Sequence, residues 1–214
     1  MKPRIITLII TIMLLASGLQ AQTLKKASAA QSSQMITAIN KTAASLRSIQ
    51  CDFTQTKSMS FLNDKMVSHG KMYYTNNGKL RWEYTTPYRY TFVISRGKVT
   101  MQSSKKTSTV NLASSRLFQS IADIMVSSVT GKSLTNNKDF AVEMYTSGNQ
   151  WVASLTPRRG DMKKMFKMVR LYFNQQHSMV SRVEMVENGG DKTVIELSNV
   201  KTNTTIPASM FTVK

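Results

Sequence analysis

The sequence predicts a mainly β protein with some α (α+β): one antiparallel sheet curled into an unclosed barrel, with helices over an apolar cavity. Three observations predict it. Apolar and polar residues alternate in short runs over most of the chain, as in "KLRWEYTTP", where Leu80, Trp82 and Tyr84 share a face. Tight-turn signals such as "NNG" at Asn76 to Gly78 and "RG" at Arg96 and Gly97 separate the runs. Two segments replace the period of two by a helical one. A sheet of about ten strands from one chain must curl or close to protect its edges. Helices that only partly fill such a curl leave a cavity.

The elements follow in chain order. Lys2 and Arg4 precede an apolar run from Ile5 to Leu15 and the small, polar "ASGLQAQ". This is the three-part form of a secretory signal peptide, residues 1–21, cleaved near Ala21. The run is too short to span a bilayer as a helix. Residues 22–33 are small, polar and lysine-bearing, and read as a flexible leader. One domain is expected over residues 34–214. It opens with an amphipathic helix in "QMITAINKTAASLRSI", where Met35, Ile36, Ile39, Ala43, Leu46 and Ile49 recur near a helical period.

Strands are then expected in "CDFTQTKSMSF", "KMVSHGKMYYT", "KLRWEYTTP", "YRYTFVIS" and "KVTMQSS", forming an antiparallel meander. The pattern breaks at "SSRLFQSIADIMVSSVTG", where Leu117, Ile121, Ile124, Met125 and Val129 are spaced by three and four. A helix is expected from Ser115 to Thr130, capped by Ser114 or Ser115 and stopped at Gly131. Strands resume in "DFAVEMY", "QWVASLTP", "KMFKMVRLYFN", "MVSRVEMVE" and "KTVIELSNV", with turns at "SGNQ", "PRRGDMK", "QQHS" and "NGGD".

Composition narrows the function classes. The single Cys51 excludes an internal disulfide, and no Cys follows the apolar run to carry a lipid anchor. Cys51 reads as a small strand side chain, with no His and Asn/Asp arrangement nearby to activate it. His69 and His177 are far apart and lack a carboxylate or Cys at metal-ligand spacing. There is no G-x-S-x-G, phosphate-binding loop or CxxC, and Glu83, Glu143, Glu184, Glu187 and Glu196 are dispersed among strands. No catalytic residue, metal site or cofactor is expected, and the protein is read as a binding protein. Without Lys2 and Arg4 the chain keeps 27 basic against 11 acidic residues, a net +16. That balance favours an anionic partner, either lipid or an acidic protein; export makes nucleic acid an unsuitable one.

Several stretches then carry a resemblance. "SIQCDFTQ" (Ser48 to Gln55), "HGKMYYTNNGKLRWEYTTP" (His69 to Pro87), "YTFVISRGKV" and the segment from Leu155 to Phe211 resemble, in order and spacing, the LolA family of periplasmic outer-membrane lipoprotein carriers. The resemblance implies an unclosed barrel of about eleven strands with helices as a lid. It implies a monomeric periplasmic carrier without a cofactor. The carrier takes lipoprotein acyl chains from an inner-membrane releasing transporter to an outer-membrane acceptor, where one exists. Leu80 and Trp82 match cavity-wall positions and Tyr84 extends that face. Met72, Phe92, Ile94 and Met101, in the same meander, are assigned to the acyl-chain cavity with them. Leu117, Ile121, Ile124 and Met125 are assigned to the lid. Where members from other bacteria often carry a lid-latching Arg, this chain has Asn76.

From pattern alone, the Leu80–Trp82–Tyr84 face reads as sealed core; the resemblance turns it into a cavity wall. The physics suits a carrier. An acyl chain of ~14 carbons exposes apolar surface costing roughly 10 kcal/mol in water. Methionine side chains adapt to such cargo. A rival function on the same fold is a lipid-sensing or regulatory binding module of the cell envelope.

Overall fold

A computed structural model of the chain describes residues 23–62, 64–114, 134, 140–174, 176 and 179–213. Among the described residues, twelve strands form one antiparallel sheet. Two are short or early: β1 (Lys25–Lys26) and β2 (Ser48–Ser58) flank helix α1 (Ala29–Ser45). The meander continues through β3 (Lys65–Thr75), β4 (Lys79–Thr86), β5 (Tyr90–Ser95), β6 (Lys98–Ser103) and β7 (Thr107–Asn111). The second half comprises β8 (Phe140–Ser147), β9 (Gln150–Pro157), the short helix α2 (Gly160–Met165), β10 (Phe166–Phe173), β11 (Val180–Glu187) and β12 (Lys192–Thr202).

The strand order is β1-β8-β9-β10-β11-β12-β2-β3-β4-β5-β6-β7. The two hairpin runs meet where β12 pairs with β2, and β1 and β7 remain edges, so the sheet is not closed. The expected class holds, with twelve strands rather than about eleven.

Several local readings change. The leader is ordered: β1 pairs with β8, and Lys26 pairs with Glu143. The first helix starts at Ala29, five residues before Gln34. Ser28 caps it: Gln31 N–H donates to Ser28 Oγ at 3.3 Å, and Ser28 N–H donates to Gln31 Oε1 at 3.0 Å. That reciprocal box outweighs the polar composition. The helix also ends at Ser45, and Ile49 belongs to β2, where register rather than helical period sets its direction. Finally, "PRRGDMK" contains α2, and "TSTVN" forms the edge strand β7, whose β-branched residues suit a strand although Val110 is its sole large apolar residue.

The turns explain the register. Arg96 and Gly97 have φ of 51° and 70°, so β5 and β6 are joined by two residues in the left-handed region, the form that matches strand twist. Residues alternate in and out from there. Met35, Ile39 and Leu46 of the helix segment join the inward-facing strand residues in one core cluster. On the outer face, a C-terminal 3₁₀ turn (Ala208–Phe211) lies against β4 and β5 and buries Phe211. Arg81 holds it through long hydrogen bonds to the carbonyls of Met210 and Thr212.

Candidate functional site

The pairing register assembles the inward face of the first meander into three cross-strand rows. The central row runs Cys51–Met72–Trp82–Phe92–Met101. On one side lies Ile49–Tyr74–Leu80–Ile94–Val99, and on the other Phe53–Gly70–Tyr84–Tyr90. All seven residues assigned to the cavity from sequence therefore lie on one face in adjacent rows. Met72, Leu80, Trp82, Phe92 and Ile94 are buried, while Met101 and Tyr84 are half-buried against them.

Aromatic contacts organise this face. The rings of Phe53 and Trp82 stack with centroids 4.2 Å apart, and Phe53 meets Tyr84 edge-on at 5.2 Å. Phe53 can reach across because Gly70 lies between β2 and β4 without a side chain; a Cβ there would overlap the Phe53 ring and the Glu83 carbonyl oxygen. Sequence reasoning did not assign Phe53, Tyr74, Val99 or Gly70 to the site. The alternation Ile49, Cys51, Phe53 in "SIQCDF" carried the signal for Phe53.

Polar groups on this face are few. The Tyr84 hydroxyl donates to Gln55 Oε1 at 2.9 Å. Burial pushes the Tyr84 and Tyr74 hydroxyls above the usual tyrosine pKa. The Trp82 indole N–H is near the Tyr84 hydroxyl but forms no hydrogen bond, although Trp82 is only 4% exposed. It is an unpaired donor on a mainly apolar wall.

Cys51 shares the central row. Burial, with a smaller contribution from the adjacent Asp52 carboxylate, pushes its thiol to about 12. At neutral pH it is a protonated apolar side chain, and its thiolate chemistry is suppressed. In the native protein an aromatic disulfide reagent should label Cys51 far more slowly than in urea. Equal rates would place the thiol at the surface.

Leu117, Ile121, Ile124 and Met125, assigned to a lid from sequence, lie outside the described residues, as does His177. His69 lies in β3, within reach of the Thr54 hydroxyl at 3.1 Å. Among the described residues, no group of three His, Cys, Asp or Glu side chains is placed to hold a metal ion. No described helix is long and apolar enough to cross a membrane.

Residues 44–214 match the family model for the outer membrane lipoprotein carrier protein LolA. The chain belongs to the LolA family. Two relatives share its sequence at modest identity. One is an outer-membrane lipoprotein carrier protein of Methylococcus capsulatus, 26% identical over 78% of this chain and 77% of its own. The other, with the same name, is from Chromohalobacter salexigens, 27% identical over 68% and 66%. A solved structure of an uncharacterized conserved protein from Thermus thermophilus shares the fold: TM-score 0.52 at 12% identity, over 85% of this chain and 93% of that one.

Asn76 sits in the β3–β4 turn, where its backbone N–H donates to the Arg47 carbonyl at 2.9 Å. It therefore ties the strand turn to the segment leaving α1. The outer face of the sheet is polar and charge-paired: Lys71 and Asn199 both donate to Asp52, at 2.9 and 2.7 Å. A second hub is Glu184, ringed by Arg170 and Arg182 at 3.1 Å and Lys192 at 2.9 Å. The two faces thus divide the labour: charge outward, aromatic and methionine surface inward.

Proposed function

We propose that the inward face binds the acyl chains of lipoproteins and that the protein is a non-enzymatic periplasmic carrier, taking them from the inner to the outer membrane. The central row, Met72–Trp82–Phe92–Met101, carries this reading. It is a continuous apolar strip, four strands wide, on the inner side of a sheet that does not close. Membership of the LolA family supports the same role, as do the names of the two relatives. An open sheet can part from its covering elements without breaking its own ladders, so cargo can enter and leave. Adaptable methionines and a rigid indole then suit chains of varying length. The signal-like N-terminus supports export to the periplasm.

Trp82 reports on this reading. In a Trp151→Phe background, a long-chain acyl probe or a purified lipoprotein should shift the Trp82 emission, because lipid covering the indole changes the polarity around its N–H. Trp82→Ala should weaken uptake of the same probe by roughly tenfold or more, the loss of one large buried contact surface. An emission spectrum unchanged at saturating probe would overturn the assignment of this face. Lipid analysis of protein purified from the periplasm separates a lipoprotein carrier from a sensor of free lipid.

A further inference from the structure

The three hairpin connections β2–β3, β4–β5 and β6–β7 emerge at one end of the sheet, as the pairings Ser58↔Lys65, Tyr84↔Tyr90 and Gln102↔Thr107 require. Every large exposed apolar side chain among the described residues lies at this end: Phe61, Leu62, Met66, Val67, Tyr88 and Tyr90. Phe61 is 75% exposed and Tyr88 78%. Such residues are ordinary when scattered, but six of them on the β2–β3 and β4–β5 hairpins of a strongly basic chain form a patch. Lys65, Arg89, Lys105 and Lys106 stand among them, and none makes an ion pair among the described residues. Asp64, in the β2–β3 loop, is the one acid inside the patch, against these four cations; Glu187 and Asp191, beside it at the β11–β12 turn, are engaged with Lys57.

The β2–β3 loop is clamped at its base. Ser60 N–H donates to Asp191 Oδ1 at 2.9 Å, and Ser60 Oγ donates to the Gly189 carbonyl at 2.8 Å. Beyond this anchor the chain turns through a Leu62 N–H to Met59 carbonyl bond and presents Phe61 and Leu62 outward. Met66 and Val67 point to opposite sides of β3 and are both exposed, because β4 pairs with β3 only as far as His69. The hairpin therefore projects past its neighbour with apolar residues on both sides.

We propose that this end docks the protein on an anionic bilayer surface, with Phe61 and Leu62 entering the interface and Lys65, Arg89, Lys105 and Lys106 meeting lipid phosphates. An apolar tip on the β2–β3 hairpin, with tyrosines on the neighbouring β4–β5 hairpin and cations around them, forms the residue pattern of an interfacial anchor. A protein-binding site of comparable strength calls for a broad continuous surface with its charges depleted at the centre. The inward face reaches the same end: Tyr84 and Tyr90 rings are 6.4 Å apart, and Tyr90 is exposed. The inference goes beyond the carrier reading and stands or falls without it, since vesicle binding and acyl-probe uptake are separate measurements.

The test is co-sedimentation of the mature chain with phosphatidylcholine vesicles, with and without phosphatidylglycerol. Binding is expected on the anionic vesicles and should weaken with salt, because exposed charges are screened beyond ~10 Å at 0.1 M. Each cation near an anionic surface contributes roughly fivefold, so Arg89→Glu, Lys105→Glu and Lys106→Glu together should cost about a hundredfold or more. Phe61→Asp with Leu62→Asp should cost roughly tenfold or more, with acyl-probe uptake unchanged. Phe61→Trp, in the otherwise intact protein, should add a blue-shifted emission component on anionic vesicles. Absence of binding to anionic vesicles overturns the proposal and leaves the patch to a protein partner. Binding that survives Phe61→Asp with Leu62→Asp, or a Phe61→Trp emission that vesicles leave unchanged, overturns it as well.

Discussion

Gly70→Ala is expected to destabilise the protein by about 3 kcal/mol or more, the upper end of what overpacking costs, and so to lower the unfolding midpoint by roughly 6–12 °C. The added methyl would overlap the Glu83 carbonyl oxygen and the Phe53 ring. Neither neighbour has an inexpensive escape. The carbonyl belongs to β4 next to the register shift between His69 and Gly70, so moving it opens the β3–β4 ladder. The ring is held by its stack on Trp82 and its edge contact with Tyr84. The backbone φ at Gly70 lies outside the left-handed region, so the effect isolates space from conformation. Phe53→Leu in the Gly70→Ala background should return part of the loss, since one of the two clashes is then relieved. A midpoint for Gly70→Ala within about 2 °C of the parent would mean that the glycine is not a packing requirement. The consequence reaches the candidate site, because the same contact orients Trp82.

Glu184→Gln is expected to cost about 2–3 kcal/mol at neutral pH. The Glu184 carboxylate is buried, and three cations converge on it. Burial opposes its ionisation; Lys192, Arg170 and Arg182 favour it, and the cations prevail, holding the pKa below the ordinary 4.5. Removing the charge leaves three partly exposed cations facing each other, which discounts the full cost of breaking a buried pair. The pH dependence follows from the direction of the shift. A carboxyl with a lowered folded pKa contributes stability that is present above its unfolded pKa, about 4.5, and is lost as pH falls through the lower folded value. The difference between parent and Glu184→Gln in urea unfolding should therefore be constant from neutral pH down to about 5, then shrink in acid. Comparing the two proteins removes the contributions of Asp52, Glu143 and Asp191, whose pKa values are also lowered by their partners. A difference that persists unchanged into strong acid would assign the loss to packing.

By itself the sequence determined the sheet, the order of most strands, the direction of Leu80, Trp82 and Tyr84, and the family. Those features are local: alternation sets the face of a strand, and Arg96–Gly97 sets the turn that preserves it. It also held the helix start at Ser28 and Gln31, in a capping box that composition obscured. Only the tertiary structure decided how the two hairpin runs join and where the first strand pairs. The pairing of β12 with β2 and of β8 with β1 joins residues more than a hundred positions apart, and no local pattern encodes such a choice. The assembled register lines up Met72, Trp82, Phe92 and Met101, brings Phe53 across Gly70, and surrounds Glu184 with cations. It also gathers Phe61, Tyr88 and the cations Lys65, Arg89, Lys105 and Lys106 at one end of the sheet, where the basic charge read from composition acquires a direction. The physical reason is that side-chain periodicity is set within a strand, whereas register and adjacency are selected by the total burial of all strands together.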